Sequence, residues 1–184
     1  ARRAAGGRTP RAARRSAAAV GSGAVGSGAG ERAAACALTL EPAVFSTTIK
    51  VRFSDVDRAG IAYYPRMVHW FHVAFEEFWE QWVGVPYATV LEQQNLGFPA
   101  VKLEVDFVKP TRFGELLTVR VGLEEIGGAS SRFRYEVAGP AGELRARARV
   151  TVVCVALDTL KPRALPDAYR ARFAAALLPS EPPT

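Results

Sequence analysis

An α+β fold, with an antiparallel β-sheet wrapped around one long central α-helix, follows from two features of the 184-residue sequence. Tyr64 to Val83 carries an aromatic, apolar stripe at helical spacing. Downstream of it, four segments read as strands divided by Gly- and Pro-rich gaps. An antiparallel sheet must bury one face, and this chain offers a single long helix to cover it.

In order, the first strand is 46–53, Ser-Thr-Thr-Ile-Lys-Val-Arg-Phe, whose alternation and β-branched side chains fit a half-buried strand. Ser54 to Gly60 then holds two aspartates and a glycine, a turn cluster. On the helix from Tyr64, the residues Met67, Phe71, Ala74, Phe75, Phe78 and Trp82 share a face, and Glu76, Glu77 and Glu80 lie off it. Pro65 suits the first turn, where a missing N–H does no harm. Gly84 ends the helix and Pro86 follows as a stop. Residues 87–95 read as one short helix. Strands are predicted at 98–109, 115–126, 131–138 and 144–157. The gaps between them, Lys-Pro-Thr-Arg-Phe-Gly, Gly-Gly and Gly-Pro-Ala-Gly, all have the length of hairpins between sequence neighbours. A small helix over 166–176 completes the chain.

Residues 1–35 are almost entirely Ala, Gly, Arg and Ser, with no large side chains to offset the entropy of ordering, so disorder is expected. The chain therefore divides into an extension, 1–45, and a folded domain, 46–184. The net charge is +6, but residues 1–45 carry seven arginines against two glutamates, whereas 46–184 carries 17 basic and 16 acidic groups. The basic character belongs to the extension, and the domain calls for no specific nucleic-acid partner. No stretch approaches the ~18–20 apolar residues of a membrane-spanning helix. Two cysteines, Cys36 and Cys154, cannot make a disulfide scaffold and read as reduced thiols of a cytoplasmic protein. His69 and His72, three apart on the helix with Glu76 beyond, have no cysteine nearby and are not expected to hold a metal. His69 reads instead as a packed, hydrogen-bonded side chain near the acyl pocket or a dimer contact.

The run Val51-Arg-Phe-Ser-Asp-Val-Asp57-Arg-Ala-Gly60-Ile-Ala-Tyr-Tyr64-Pro65, leading into a helix with His and Trp, resembles the hot-dog-fold 4-hydroxybenzoyl-CoA thioesterase family and its acyl-CoA hydrolase relatives. Val105-Asp-Phe-Val-Lys-Pro110-Thr-Arg-Phe-Gly114 is a second match, and Ser131 a weaker third. The similarity spans about 47–157. It implies hydrolysis of an acyl-CoA, with CoA as part of the substrate and no separate cofactor or metal. It also implies a homodimer or homotetramer with sites at the subunit interface.

By that resemblance Asp57 is the catalytic carboxylate, attacking the thioester carbonyl or activating water. The backbone N–H of Tyr64 is the principal oxyanion donor, with Gly60 and Ile61 as further donors. Tyr63, Pro65 and His69 are candidates for the acyl pocket. The chemistry is sound, because thioester hydrolysis needs a nucleophile or base on one side of the carbonyl and hydrogen-bond donors on the other. Free N–H groups and the positive end of the dipole at a helix start supply the second part. Each residue also has a plainer reading, since an Asp before a helix is commonly a cap or turn residue. Asp55 reads as a structural acid. Glu76 and Glu77 are the competing carboxylates, as other hot-dog thioesterases place theirs in mid-helix.

Two departures from the pattern matter. The hairpin Ile126-Gly-Gly-Ala-Ser-Ser131 lacks the basic cluster that faces the CoA phosphates in 4-hydroxybenzoyl-specific members, leaving Lys109, Arg112, Arg132 and Arg134 as substitutes. Tyr64 stands where acyl-CoA hydrolases often carry histidine, which leans the expectation toward an aromatic acyl group. Alternatives are an acyl-carrier-protein thioesterase and a non-catalytic hot-dog protein that binds acyl-CoA.

Overall fold

Strand β1 (Phe45–Lys50) begins the residues that the computed structural model describes, 45–179. The extension predicted at 1–45, and Cys36 with it, lies outside them except for Phe45. After β1, a 3-10 turn (Phe53–Asp55) takes the place of the last residue predicted as strand. The helix α1 (Tyr64–Glu77) follows and runs without a break into a wider π-helical turn, Phe78–Val83. The N–H groups of Gly84 and Val85 both reach the Trp79 carbonyl, at 3.0 and 3.1 Å, and Gly84 takes the left-handed φ of 83° that lets the chain leave. The predicted helix 64–83 is thus one rod with a loosened last turn.

The short helix α2 (Tyr87–Glu92) ends earlier than predicted. It leads through β2 (Leu96–Gly97) to β3 (Ala100–Phe107). Then come β4 (Leu116–Ile126), β5 (Ser130–Ala138) and β6 (Leu144–Val153), followed by β7 (Val155–Ala156) and α3 (Asp167–Ala174). The strand predicted at 144–157 is broken at Cys154, whose N–H turns to the Ala129 carbonyl at 2.8 Å, and β7 pairs with β2 in a sheet of its own.

The main sheet has the order β1-β4-β5-β6-β3, all antiparallel. The Gly-Gly and Gly-Pro-Ala-Gly gaps are hairpins, as predicted. The Lys-Pro-Thr-Arg-Phe-Gly gap is not. β3 pairs with β6 at one edge of the sheet, while β4 sits three strands away, so residues 108–115 cross from one side of the sheet to the other. Length alone could not reveal this, because a short segment can also span the end of a curved sheet.

The inner face packs on α1. Met67, Trp70, Phe71, Ala74, Phe75, Phe78 and Trp79 are buried, so the core stripe is wider than the predicted one. Phe133 on β5 meets Phe75 and Phe78 edge-on, with centroids 5.3 and 5.6 Å apart. Trp82, predicted on that face, is only half-buried and donates its indole N–H to the Arg172 carbonyl at 3.1 Å, tying the rod to α3. No helix among the described residues is long and apolar enough to cross a membrane.

Candidate active site

The crossing segment and the turn before α1 are stitched together, and that seam bounds the candidate site. Ala62 N–H donates to the Thr111 carbonyl at 2.8 Å, and Ile61 forms an isolated bridge with Arg112. On the other flank, Tyr63 N–H donates to the Asp55 carbonyl at 2.9 Å. The Asp55 side chain is buried, accepts from Arg52 N–H at 2.7 Å and lies 3.8 Å from the Arg66 guanidinium. It therefore holds the turn against the helix, in keeping with its reading as a structural acid.

Between these seams opens a cleft of about 520 Å³. Asp57, Ile61, Tyr63 and Tyr64 line one wall, Phe107 to Thr111 the other, and Met67 the floor. Asp57 is exposed. Its Oδ1 accepts from Ala59 N–H at 2.8 Å, and its own N–H donates to the Ile61 carbonyl at 3.0 Å. The side chain is thus a turn residue through one oxygen, while Oδ2 has no partner among the described residues.

Gly60 gives its N–H to the Asp57 carbonyl at 2.9 Å and adopts φ 73°, closing the turn. That N–H is spent, so Gly60 closes the turn and is not free to be the further oxyanion donor expected of it. Tyr64 differs. As the first helical residue it lies outside the helix ladder, and its N–H finds no acceptor among the described residues. Pro65, half-buried, comes next and offers no N–H, so the Tyr64 N–H stays unpaired at the helix start; the N–H of Ile61, also on the cleft wall, has no acceptor among the described residues either.

Of the acyl-pocket candidates, Tyr63 lines the cleft and packs edge-on against Tyr64 at 5.2 Å. Pro65 and His69 line neither this cleft nor the second cavity described below. Within one subunit His69 is exposed and has no partner among the described residues, so the packed place expected for it beside the acyl pocket is not found there. It points away because the buried face of α1 is already filled by Trp70 and Phe71, its two successors. The competing carboxylates are engaged elsewhere. Glu77 accepts from the Thr47 hydroxyl on β1 and from Gln81 at 3.1 Å, and Glu76 pairs with His72 at 3.1 Å. Among the described residues no group of three His, Cys, Asp or Glu side chains is placed to hold a metal.

Two features escaped the sequence. Thr111 is 1% exposed, lines the cleft, and its hydroxyl has no hydrogen-bond partner, an uncommon state for a buried polar group. Its only signal was its place in the Lys-Pro-Thr-Arg-Phe-Gly motif. The second is an apolar cavity of about 500 Å³ between α1 and the start of β3, lined by Phe71, His72, Tyr87, Ala100, Leu103 and Leu157 among others. Burial holds the Tyr87 hydroxyl above its ordinary pKa, with Glu76 adding to the shift and a hydrogen bond with the Phe98 backbone opposing it.

Residues 51–173 match the model of the thioesterase-like superfamily. The chain belongs to that superfamily, and its fold is the hot-dog thioesterase fold. It is 31% identical over 129 residues to an acyl-CoA thioesterase, YbgC, of Haemophilus influenzae, covering 70% of this chain and 93% of that one. It is 29% identical over 123 residues to a 1,4-dihydroxy-2-naphthoyl-CoA hydrolase of Nostoc punctiforme, covering 67% and 82%. Among solved structures, a DHNA-CoA thioesterase from Staphylococcus aureus superposes with a TM-score of 0.64 at 27% identity, covering 71% of this chain and 86% of that one. By family and by fold, then, this is a thioester hydrolase.

Proposed function

We infer that the protein hydrolyses acyl-CoA thioesters to the free acid and CoA, with an aromatic or short acyl group seated against the Tyr63, Tyr64 and Phe107 walls of the cleft. The observation that carries this reading is the meeting, in one cleft, of the Asp57 carboxylate and a helix start whose first N–H has no acceptor among the described residues. The thioester oxygen accepts from Tyr64 N–H, and the positive end of the α1 dipole favours the negative charge that develops there. Asp57 then acts in one of two ways. Either its oxygen attacks the carbonyl carbon, giving an acyl anhydride that water opens, or it takes a proton from an attacking water. Both routes expel the CoA thiolate, which leaves as the thiol. Water is the only co-reactant, and the reading uses no metal and no cofactor.

A homodimer completes it. β3 is an edge strand that carries exposed Val101, Leu103 and Phe107, and edge strands usually shield such a surface. β3 begins at the apolar cavity and ends at the Asp57 cleft. Antiparallel pairing of β3 with the same strand of a second copy sets one subunit's cavity beside its partner's cleft, so the cavity becomes room for the acyl group.

The test is Asp57→Asn assayed on benzoyl-, 4-hydroxybenzoyl-, short aliphatic and long aliphatic CoA esters. The asparagine side-chain oxygen still accepts from Ala59 N–H, so the fold is kept while turnover falls by roughly 10²–10⁴-fold. Near-wild-type turnover in that variant overturns the assignment. CoA binding without hydrolysis in the unaltered protein favours the non-catalytic alternative, and faster hydrolysis of acyl-carrier-protein esters favours the other.

A further inference from the structure

The cleft has an outward continuation that hydrolysis itself does not use. Beyond Thr111 the crossing segment carries Arg112 and Phe113, and upstream of Asp57 the opposite seam carries Arg52 and Phe53. Both phenylalanines are conspicuously bare, Phe53 80% and Phe113 60% exposed. Their rings nevertheless meet edge-on at 6.1 Å. The two segments are held in register here by Val51, whose N–H donates to the Glu115 carbonyl at 2.9 Å and whose carbonyl accepts from Gly114 N–H at 3.0 Å. The pair is thus a fixed aromatic step at the end of the cleft and not a loose loop tip.

Cations stand next to it in the chain. Lys109 lines the cleft, Arg112 and Arg52 immediately precede the two phenylalanines, and all three are exposed. Of the acids close by, Glu115 accepts from Arg112 N–H at 2.9 Å and from the Arg145 guanidinium at 2.9 Å, and Glu143 pairs with Arg145 at 2.7 Å while also facing Lys109. Meanwhile the other substitute cations lie elsewhere. Arg132 pairs with Glu125 at 3.0 Å, and Arg134 is buried against Glu136 at 3.2 Å on the sheet. The 127–129 hairpin, Gly-Gly-Ala, offers none.

Exposed aromatic faces beside exposed cations bind a purine carrying phosphates, through stacking and charge together. We propose that Phe53, Phe113 and Arg112, with Arg52 and Lys109, form the site for the adenosine 3′-phosphate and diphosphate end of CoA, the pantetheine arm running past Pro110 and Thr111 to Asp57. This rests on the thioesterase reading and narrows it, because a carrier-protein thioester has the arm but no adenine. Selection for free CoA esters is then built into the seam.

The experiment compares the intact protein with Phe113→Ala and Arg112→Ala, using one acyl group on CoA and on N-acetylcysteamine, which keeps the thioester but lacks the nucleotide. Binding of CoA alone is measured by calorimetry, and mass by light scattering. The ratio of kcat/KM for the CoA ester to that for the truncated ester is expected to fall by roughly tenfold or more in each variant, with CoA binding weakened by a similar factor. An unchanged ratio and unchanged CoA affinity overturn the proposal. So does an equal fall for both esters together with a loss of oligomer mass, which makes Phe113 a subunit contact. If neither ester is hydrolysed by the intact protein, yet CoA binds and Phe113→Ala weakens it, the nucleotide site stands and the hydrolysis reading fails.

Discussion

Removing a single backbone N–H is the most direct trial of the oxyanion site, and Tyr64 permits it. Proline is favoured in the first turn of a helix, where its missing N–H breaks no helical bond. The residue before a proline must be extended, and Tyr63 already is, at φ −67° and ψ 127°. Tyr64→Pro therefore deletes the donor while leaving the start of α1 in place. Tyr64→Ala is the reference, because it keeps the N–H and loses the same ring, which packs on Tyr63 at 5.2 Å. An oxyanion donor contributes about 3 kcal/mol to the transition state, so turnover in the proline variant should lie on the order of 10²-fold below that of the alanine variant. Steady-state release of CoA thiol, followed with a chromogenic disulfide, reads both. Circular dichroism checks that α1 persists. If the two variants turn over within a few-fold of each other with helix content preserved, the Tyr64 N–H is not the donor, and the placement of the carbonyl in the cleft is wrong.

Other outcomes are equally open to measurement. Thr111→Val replaces a buried, unpartnered hydroxyl by a methyl group and should raise stability to denaturant by about 1 kcal/mol. If the hydroxyl holds water or substrate, kcat/KM falls at the same time, and an unchanged rate removes Thr111 from the site. Phe133→Ala empties the fully buried junction of α1 with β5 and should cost about 3–5 kcal/mol in a denaturant titration. A loss below about 1 kcal/mol would contradict that packing. The Cys154 thiol is buried, and desolvation holds its pKa above the usual value against a smaller opposing effect of Arg163. It therefore stays protonated at pH 8, and in a Cys36→Ser background a thiol reagent should label it only after unfolding. Rapid labelling of the native protein would show that this part of the core is open.

Local chemistry determined a good deal by itself. The rod from Tyr64 to Gly84 was legible because an aromatic stripe at helical spacing, a first-turn proline and a left-handed glycine are all signals within a few residues of one another. The hairpins at 127–129 and 139–143 and the tight turn around Asp57 were legible for the same reason. The route of 108–115 was not, since β3 chooses β6 as its neighbour over β4 through contacts some forty residues away, where no local pattern reports the choice. That one crossing decides most of the site. It brings Thr111 under the helix start, sets Phe113 against Phe53 and leaves β3 at the edge. It also separates roles that look alike in sequence. Gly60 N–H is consumed by its own turn and Tyr64 N–H is not, while His69 faces outward and Met67, two residues earlier, forms the floor. The residue types needed for thioester chemistry were thus legible in the chain, whereas which of their atoms face a common cleft is a property of long-range strand pairing, and only the tertiary structure decided it.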